Sequence, residues 1–296
     1  SVEEKTPLSI DTPIRAGSIS KLVTAVAVQQ QVEAGKLGPD TEIGDVVKWD
    51  LPHRMGTATI GQLITHRAGV GERFIEQTEE RAEDILDLSS YLRATLPKPL
   101  FAPGSSIAYS NLGISLAALA VETVAEKPFA AYALEEIFHP LGMQSATFIP
   151  DRRKEAEMAD GYHWIFGDYR RLPLRHWKPY PASSLVVSTA DLGRMMTALL
   201  ADSCPVLNKP GALLEEQWTA VPGIPGMGIG FWLDRIFAQR VAWHTGHMPG
   251  HRTGFFTFPD AGFGVVLYYN TDENVLRPFL EKLAAFVFRD ADSDKT

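Results

Sequence analysis

The segment AGSISKLVTAVAVQQQVEAGKLGPD, residues 16–40, restricts the fold more than any other stretch of the chain. Between positions 19 and 28 it is apolar on nearly every side (Ile19, Leu22, Val23, Val26, Val28), and a helix of that kind must lie inside a packed core. The pattern predicts a helix over residues 18–34, stopped by Gly35 and Gly38. Its first turn nevertheless carries Ser18 and Lys21, three residues apart and so neighbours on one face. Burial disfavours an ammonium and promotes loss of its proton. A neutral lysine beside a serine hydroxyl can take the hydroxyl proton and make the serine a nucleophile. The helix start adds free N–H groups and a positive dipole end, both favourable to developing negative charge. Taken alone the S-x-x-K pattern is weak, because a capping serine followed by a lysine reaching for solvent uses the same residues.

The 296 residues suffice for one large domain or two medium ones, and 45% hydrophobic with 22% charged residues is ordinary for a globular chain. A net charge of -8 without a basic stripe argues against nucleic-acid binding. The single cysteine, Cys204, precludes an intramolecular disulfide. No apolar run is long enough for a membrane span, and the first residues lack the charged-then-apolar pattern of a signal peptide.

Further helices are expected in ATIGQLITHRAGV, with Thr59 as N-cap and Gly69 as stop, over residues 79–96 as an exposed amphipathic helix, and over residues 112–124. FAAYALEEIFHPLGM adds another, ended near Pro140 and Gly142, and helical character returns over residues 190–201. FAPGSSIAYSN is a turn-rich loop. Residues 151–181 lose periodicity and become aromatic and basic, a loop that either covers a pocket or folds back on the core. RVAWHTG, RTGFFTFP and FGVVLYYN then form three consecutive antiparallel strands, followed by a closing helix in VLRPFLEKLAAFVF and a polar tail. Helices in the middle and strands near the end indicate an α+β class. A sheet-containing region would comprise residues 1–45 and 184–290, a mainly helical region residues 46–183, and the tail residues 291–296.

Two more short motifs carry chemistry. In YSN, Tyr109 can shuttle a proton, and Asn111 offers both a donor and an acceptor to a substrate amide or carbonyl. In HTG, His244, Thr245 and Gly246 end a strand where small residues let a substrate lie close. The N–H of His247 just beyond could pair with that of Ser18 as an oxyanion hole. HTGHMPGH gathers His244, His247 and His251, but the spacing matches no zinc helix, so no metal is expected. His66 and His139 read as structural histidines. No G-x-S-x-G elbow exists, which removes the α/β-hydrolases, and no helix pattern follows GMGIGF, which removes a nucleotide loop.

The three motifs in this order, on a helix start, a loop and a strand, resemble the serine β-lactamase and penicillin-binding-protein superfamily. The match is closest to its class C branch, the group of D-alanyl-D-alanine carboxypeptidases, D-aminopeptidases and family VIII carboxylesterases, which carries Tyr-x-Asn second and Lys- or His-x-Gly third. LITHRAGV is similar to that branch's Leu-Leu-Thr-His-Thr-Ser-Gly segment, and FAPGSSIAYSN, IFHPLGM, SSLVVSTADLGRMM and GMGIGFW fall where it has related stretches. The resemblance implies a β-lactamase-like fold, an antiparallel sheet flanked by helices plus a mainly helical region. It also implies an acyl-enzyme formed on Ser18, with Lys21 and Tyr109 sharing the proton work and Asn111, His244 and Thr245 lining the site, without a cofactor. The substrate would be a small ester, peptide or lactam. Two departures refine this. Only seventeen residues precede Ser18, where the family places two strands and often a helix, so the sheet is expected to be short by those strands. Position 244 holds His in place of Lys, which removes a permanent cation suited to a substrate carboxylate. An ester or small amide therefore ranks first, a D-amino-acid peptide second and a β-lactam third. A non-catalytic binding protein on the same fold is the rival, and it would be indifferent to replacement of Ser18.

Overall fold

A computed structural model describes residues 1–52, 55–73, 77–85, 87–218, 224–236, 238–273 and 276–288. Strand β1 (Ile14–Arg15) leads through a 3₁₀ turn at Gly17–Ile19 into helix α1 (Ser20–Glu33). There follow α2 (Ile43–Val46), α3 (Ile60–Ile64), β2 (Thr78–Glu79), α4 (Leu88–Thr95), α5 (Asn111–Ala125) and α6 (Phe129–Ala133). Next come α7 (Arg152–Glu157), β3 (Tyr162–Ile165), β4 (Asp168–Arg171), β5 (His176–Trp177), α8 (Tyr180–Ser183), β6 (Val186–Val187) and α9 (Thr189–Leu200). The C-terminal elements are β7 (Gly226–Met227), β8 (Trp232–Ile236), β9 (Gln239–Met248), β10 (His251–Phe258), β11 (Phe263–Tyr269) and α10 (Leu276–Phe288).

The main sheet has the order β11-β10-β9-β8-β7, antiparallel throughout. Alternation along β10 divides the core between the two faces of the sheet. Phe255 joins the large cluster with Leu22, Val26, Leu119 and Met196, whereas Phe256 joins Val241, Phe258 and Leu280 beneath α10. Helix α1 is fully buried from Leu22 to Ala27 and packs on α5 and α8, which explains its apolar character on all sides. Strand β11 forms one edge of the sheet with every residue half-buried, and among the described residues no strand pairs with its outer side.

Four expectations are corrected by the structure. The helix over residues 18–34 opens as a 3₁₀ turn, because Gly17 at φ +57° bends the chain before α1 can start. The helix expected over residues 79–96 is confined to α4, where Asp87 accepts the N–H of Ser90 at 2.9 Å and fixes the true start. The helix at Thr59 has the expected cap, a capping box with Gln62, but ends at Ile64, and His66 at φ +59° turns the chain well before Gly69. Residues 151–181 are not an aperiodic loop: they hold α7, the hairpin β3–β4, β5 and α8. Phe166 and Gly167, at φ +50° and +87°, give that hairpin the two left-handed residues a tight turn needs. The expected tail, residues 291–296, lies outside the described residues.

Candidate active site

The start of α1 meets the edge of β9 through two glycines. A Cβ on Gly17 would lie 2.8 Å from the His247 nitrogen, and one on Gly246 would collide with the Ala16 carbonyl oxygen. Only bare backbone allows this approach, and it brings Ser18 beside Thr245 and His247. Met248 and His251 close a two-residue turn on the β10 side, while Trp232 and Trp243 are the last pair between β8 and β9. Alternation of the antiparallel ladder therefore directs the N–H groups of Thr245 and His247 away from β10, and the His247 nitrogen faces Gly17.

Lys21 is fully buried, and its Nζ reaches three oxygens: Ser18 Oγ at 3.0 Å, Asn111 Oδ1 at 2.7 Å and the Ala182 carbonyl at 2.7 Å. The amide and carbonyl oxygens are acceptors only, so a neutral amine gives them its two N–H bonds and turns its lone pair to the Ser18 hydroxyl. Burial pulls the Lys21 ammonium down to about 7, against the opposing pull of the Glu72 carboxylate. Helix α8 is tied to α1 by Thr24 Oγ1, which donates to the Pro181 carbonyl at 2.9 Å, and by the Leu185 N–H, which donates to Ser20 Oγ at 2.9 Å. The Ala182 carbonyl is thereby held over Lys21.

Asn111 opens α5, where Ser110 caps the helix by accepting the Gly113 N–H at 2.9 Å. Its carboxamide is used at both ends: the oxygen faces Lys21, and Nδ2 donates to Glu72 at 3.2 Å. Glu72 also accepts the backbone N–H groups of Asn111 and Leu112, a carboxylate seated on the positive end of α5. Tyr109 lies with its ring 4.7 Å from Lys21 Nζ, and Ser18 is close enough to act on its hydroxyl. Burial pushes the phenol up and nearby Ser18 opposes it, while solvent reaching this 40% exposed residue tempers the burial effect. Of the two groups bordering Ser18, Lys21 is thus the one whose proton affinity approaches neutrality.

His244 is buried, with Nδ1 2.7 Å from the Thr245 carbonyl oxygen. Burial, reinforced by Lys21, lowers its imidazole to about 3, so no cation stands at this position near neutral pH. The His247 ring is exposed and lies 3.3 Å from Asp272, so it is the backbone of this residue that faces the Gly17 turn. His66, read from sequence as structural, brackets the tyrosine. Its carbonyl accepts the Ala108 N–H at 2.9 Å, its Nδ1 accepts the Ser110 N–H at 3.2 Å, and its ring lies 4.4 Å from that of Tyr109. Glu72 and the Ala182 carbonyl went unseen in the sequence. Their partners lie far along the chain, so no local pattern in the sequence marks either. Among the described residues no group of three or more His, Cys, Asp or Glu side chains could hold a metal ion, and no helix is long and apolar enough to cross a membrane.

A family model described as Beta-lactamase matches residues 1–287. The chain belongs to this family of β-lactamase-like serine hydrolases. Esterase EstB of Burkholderia gladioli is 30% identical over 320 residues, covering 90% of this chain and 79% of that protein. The unguisins hydrolase ungD' of Aspergillus campestris is 26% identical, covering 90% of this chain and 54% of its own length, and penicillin-binding protein 4 of Amycolatopsis lactamdurans is 26% identical, covering 72% and 58%. The chain thus spans little more than half of these last two relatives. Among solved structures, the octameric penicillin-binding protein homologue from Pyrococcus abyssi superposes with a TM-score of 0.81 at 20% identity, covering 97% of this chain and 68% of the other. The D-amino acid amidase from Ochrobactrum anthropi SV3 gives 0.79 at 20% identity, covering 99% and 88%. At that identity these neighbours establish a shared β-lactamase-like α+β fold.

Proposed function

We propose that this member of the family hydrolyses small neutral esters, and more slowly amides, through an acyl-enzyme on Ser18. The observation that carries the reading is Lys21, fully buried, drawn down to about 7 and 3.0 Å from Ser18 Oγ. Neutral Lys21 takes the Oγ proton as Oγ attacks the substrate carbonyl carbon, and its two remaining N–H bonds stay on Asn111 and Ala182. The oxyanion forms between the N–H groups of Ser18 and His247. Tyr109, beside Lys21 and Ser18, relays the proton from Lys21 to the leaving oxygen or nitrogen as the bond to the acyl carbon breaks. Water then attacks the acyl carbon, gives its proton back along the same route, and releases the acid and free Ser18. Asn111 and Glu72 act by fixing the direction in which Lys21 points.

Substrate preference follows from charge. With His244 neutral and Lys21 losing its proton near pH 7, the site holds no lasting cation for a substrate carboxylate. The resemblance to an esterase over nearly the whole chain points the same way. Turnover of p-nitrophenyl butyrate, D-alanine p-nitroanilide and benzylpenicillin, measured side by side, tests the ranking. The expected order of kcat/KM is ester, then amide, then lactam, and a lactam turned over faster than the ester would overturn it.

A further inference from the structure

A cavity of about 420 Å3 opens between β1, the hairpin β3–β4 and the β9–β10 turn. None of Ser18, Lys21, Tyr109 or Thr245 lines it. Its walls carry four charged side chains, Arg15, Glu155, Asp160 and Arg171. Asp160 is held by Arg171 at 2.5 Å, and Glu155 lies 3.0 Å from His176 Nε2. Arg15 is left over: it is only 8% exposed, its guanidinium donates to the Arg175 carbonyl, and among the described residues no carboxylate stands within ion-pair distance of it. A buried cation without a counter-charge is costly, and a guanidinium has further donors suited to a two-pronged oxyanion.

The surroundings of Arg15 offer nothing that would neutralise it. His251, also on the wall, is occupied at Nδ1 by the Tyr268 hydroxyl at 2.7 Å. Burial lowers His251 to about 3 and lowers His176 as well, with the Arg15 charge contributing to both, so Arg15 is the charged group these two rings face. The rest of the wall is apolar, with Met158, Leu172, Pro173, Leu174 and Pro249. The volume falls within the range of small-molecule pockets. We infer that this cavity is a second binding site, taking a small aliphatic carboxylate whose oxygens pair with Arg15 and whose tail lies against Leu172 and Leu174. The assignment does not depend on which reaction occurs at Ser18.

Calorimetric titration of the full chain with sodium hexanoate tests it, with hexanol and inorganic phosphate as the uncharged and tail-less probes. One hexanoate is expected per chain, with equal affinity in the wild type and in Ser18→Ala, and at least tenfold weaker binding for hexanol and for phosphate. Arg15→Met should weaken hexanoate at least tenfold. Because Arg15 is buried, Leu174→Trp at the exposed rim provides a second variant: it should obstruct binding to a similar extent while leaving the melting temperature unchanged. Absence of saturable hexanoate binding to the folded wild type overturns the assignment. So does affinity unchanged in Leu174→Trp, or phosphate bound as tightly as hexanoate.

Discussion

Among single residues, the proposed chemistry turns on Lys21. Only a buried amine with two acceptors satisfied and a third direction facing Ser18 can work as a base near neutrality. Lys21→Met is expected to lower kcat by about 10²–10⁴-fold. The wild-type rate should rise with pH through about 7 as Lys21 loses its proton, and the pH–rate profile of the variant should lack that limb. In the proposed reading, His244 governs selectivity by what it withholds. His244→Lys would restore a cation candidate beside Thr245, and the ratio of kcat/KM for benzylpenicillin to that for p-nitrophenyl butyrate should increase by at least tenfold. An unchanged ratio would show that charge at this position does not govern substrate choice. Ser18 and Lys21 were legible in the sequence because a polar pair in an apolar helix start is out of place. Glu72 was not, since its partners are backbone N–H groups some forty positions away.

At the scale of elements, the site depends on how closely the 3₁₀ turn approaches β9. Gly17→Ala places a methyl 2.8 Å from the His247 nitrogen and forces a left-handed conformation costing about 1–2 kcal/mol. It should lower the melting temperature and, by displacing an oxyanion donor, reduce kcat by up to about 10²–10³-fold with a smaller change in KM. Loss of stability with full activity in the remaining folded protein would separate the glycine from catalysis. Strands β9, β10 and β11 were readable because their apolar, β-branched and aromatic residues are bounded by turn residues. The hairpin β3–β4 was not, because its turn puts Phe166 where asparagine or glycine would have signalled left-handed backbone. Residues 79–84 misled for a related reason: their acidic and basic residues suit a helix, yet the cap that starts one is Asp87.

At the scale of the whole molecule, the fold brings a helix start, a loop and a strand edge from distant parts of the sequence to one point. The class of fold was legible from the order of the motifs, whereas the contacts that tune Lys21 required the packed structure. The same packing makes the protein sensitive to acid. His244 and His251 are buried and drawn from 6.5 to about 3, so between those values the unfolded chain takes up protons that the folded chain refuses. The contribution of these two rings to stability should therefore be full above pH 6.5 and fall progressively towards pH 3, and the melting temperature of His251→Gln should decline less steeply over that window. Whether Ser18 is an activated nucleophile is read from intact mass after incubation with a fluorophosphonate. One adduct per chain is expected on the wild type, formed faster as pH rises through 7, and none on Ser18→Ala. An unmodified folded wild type, or an adduct that persists in Ser18→Ala, would contradict that role for Ser18.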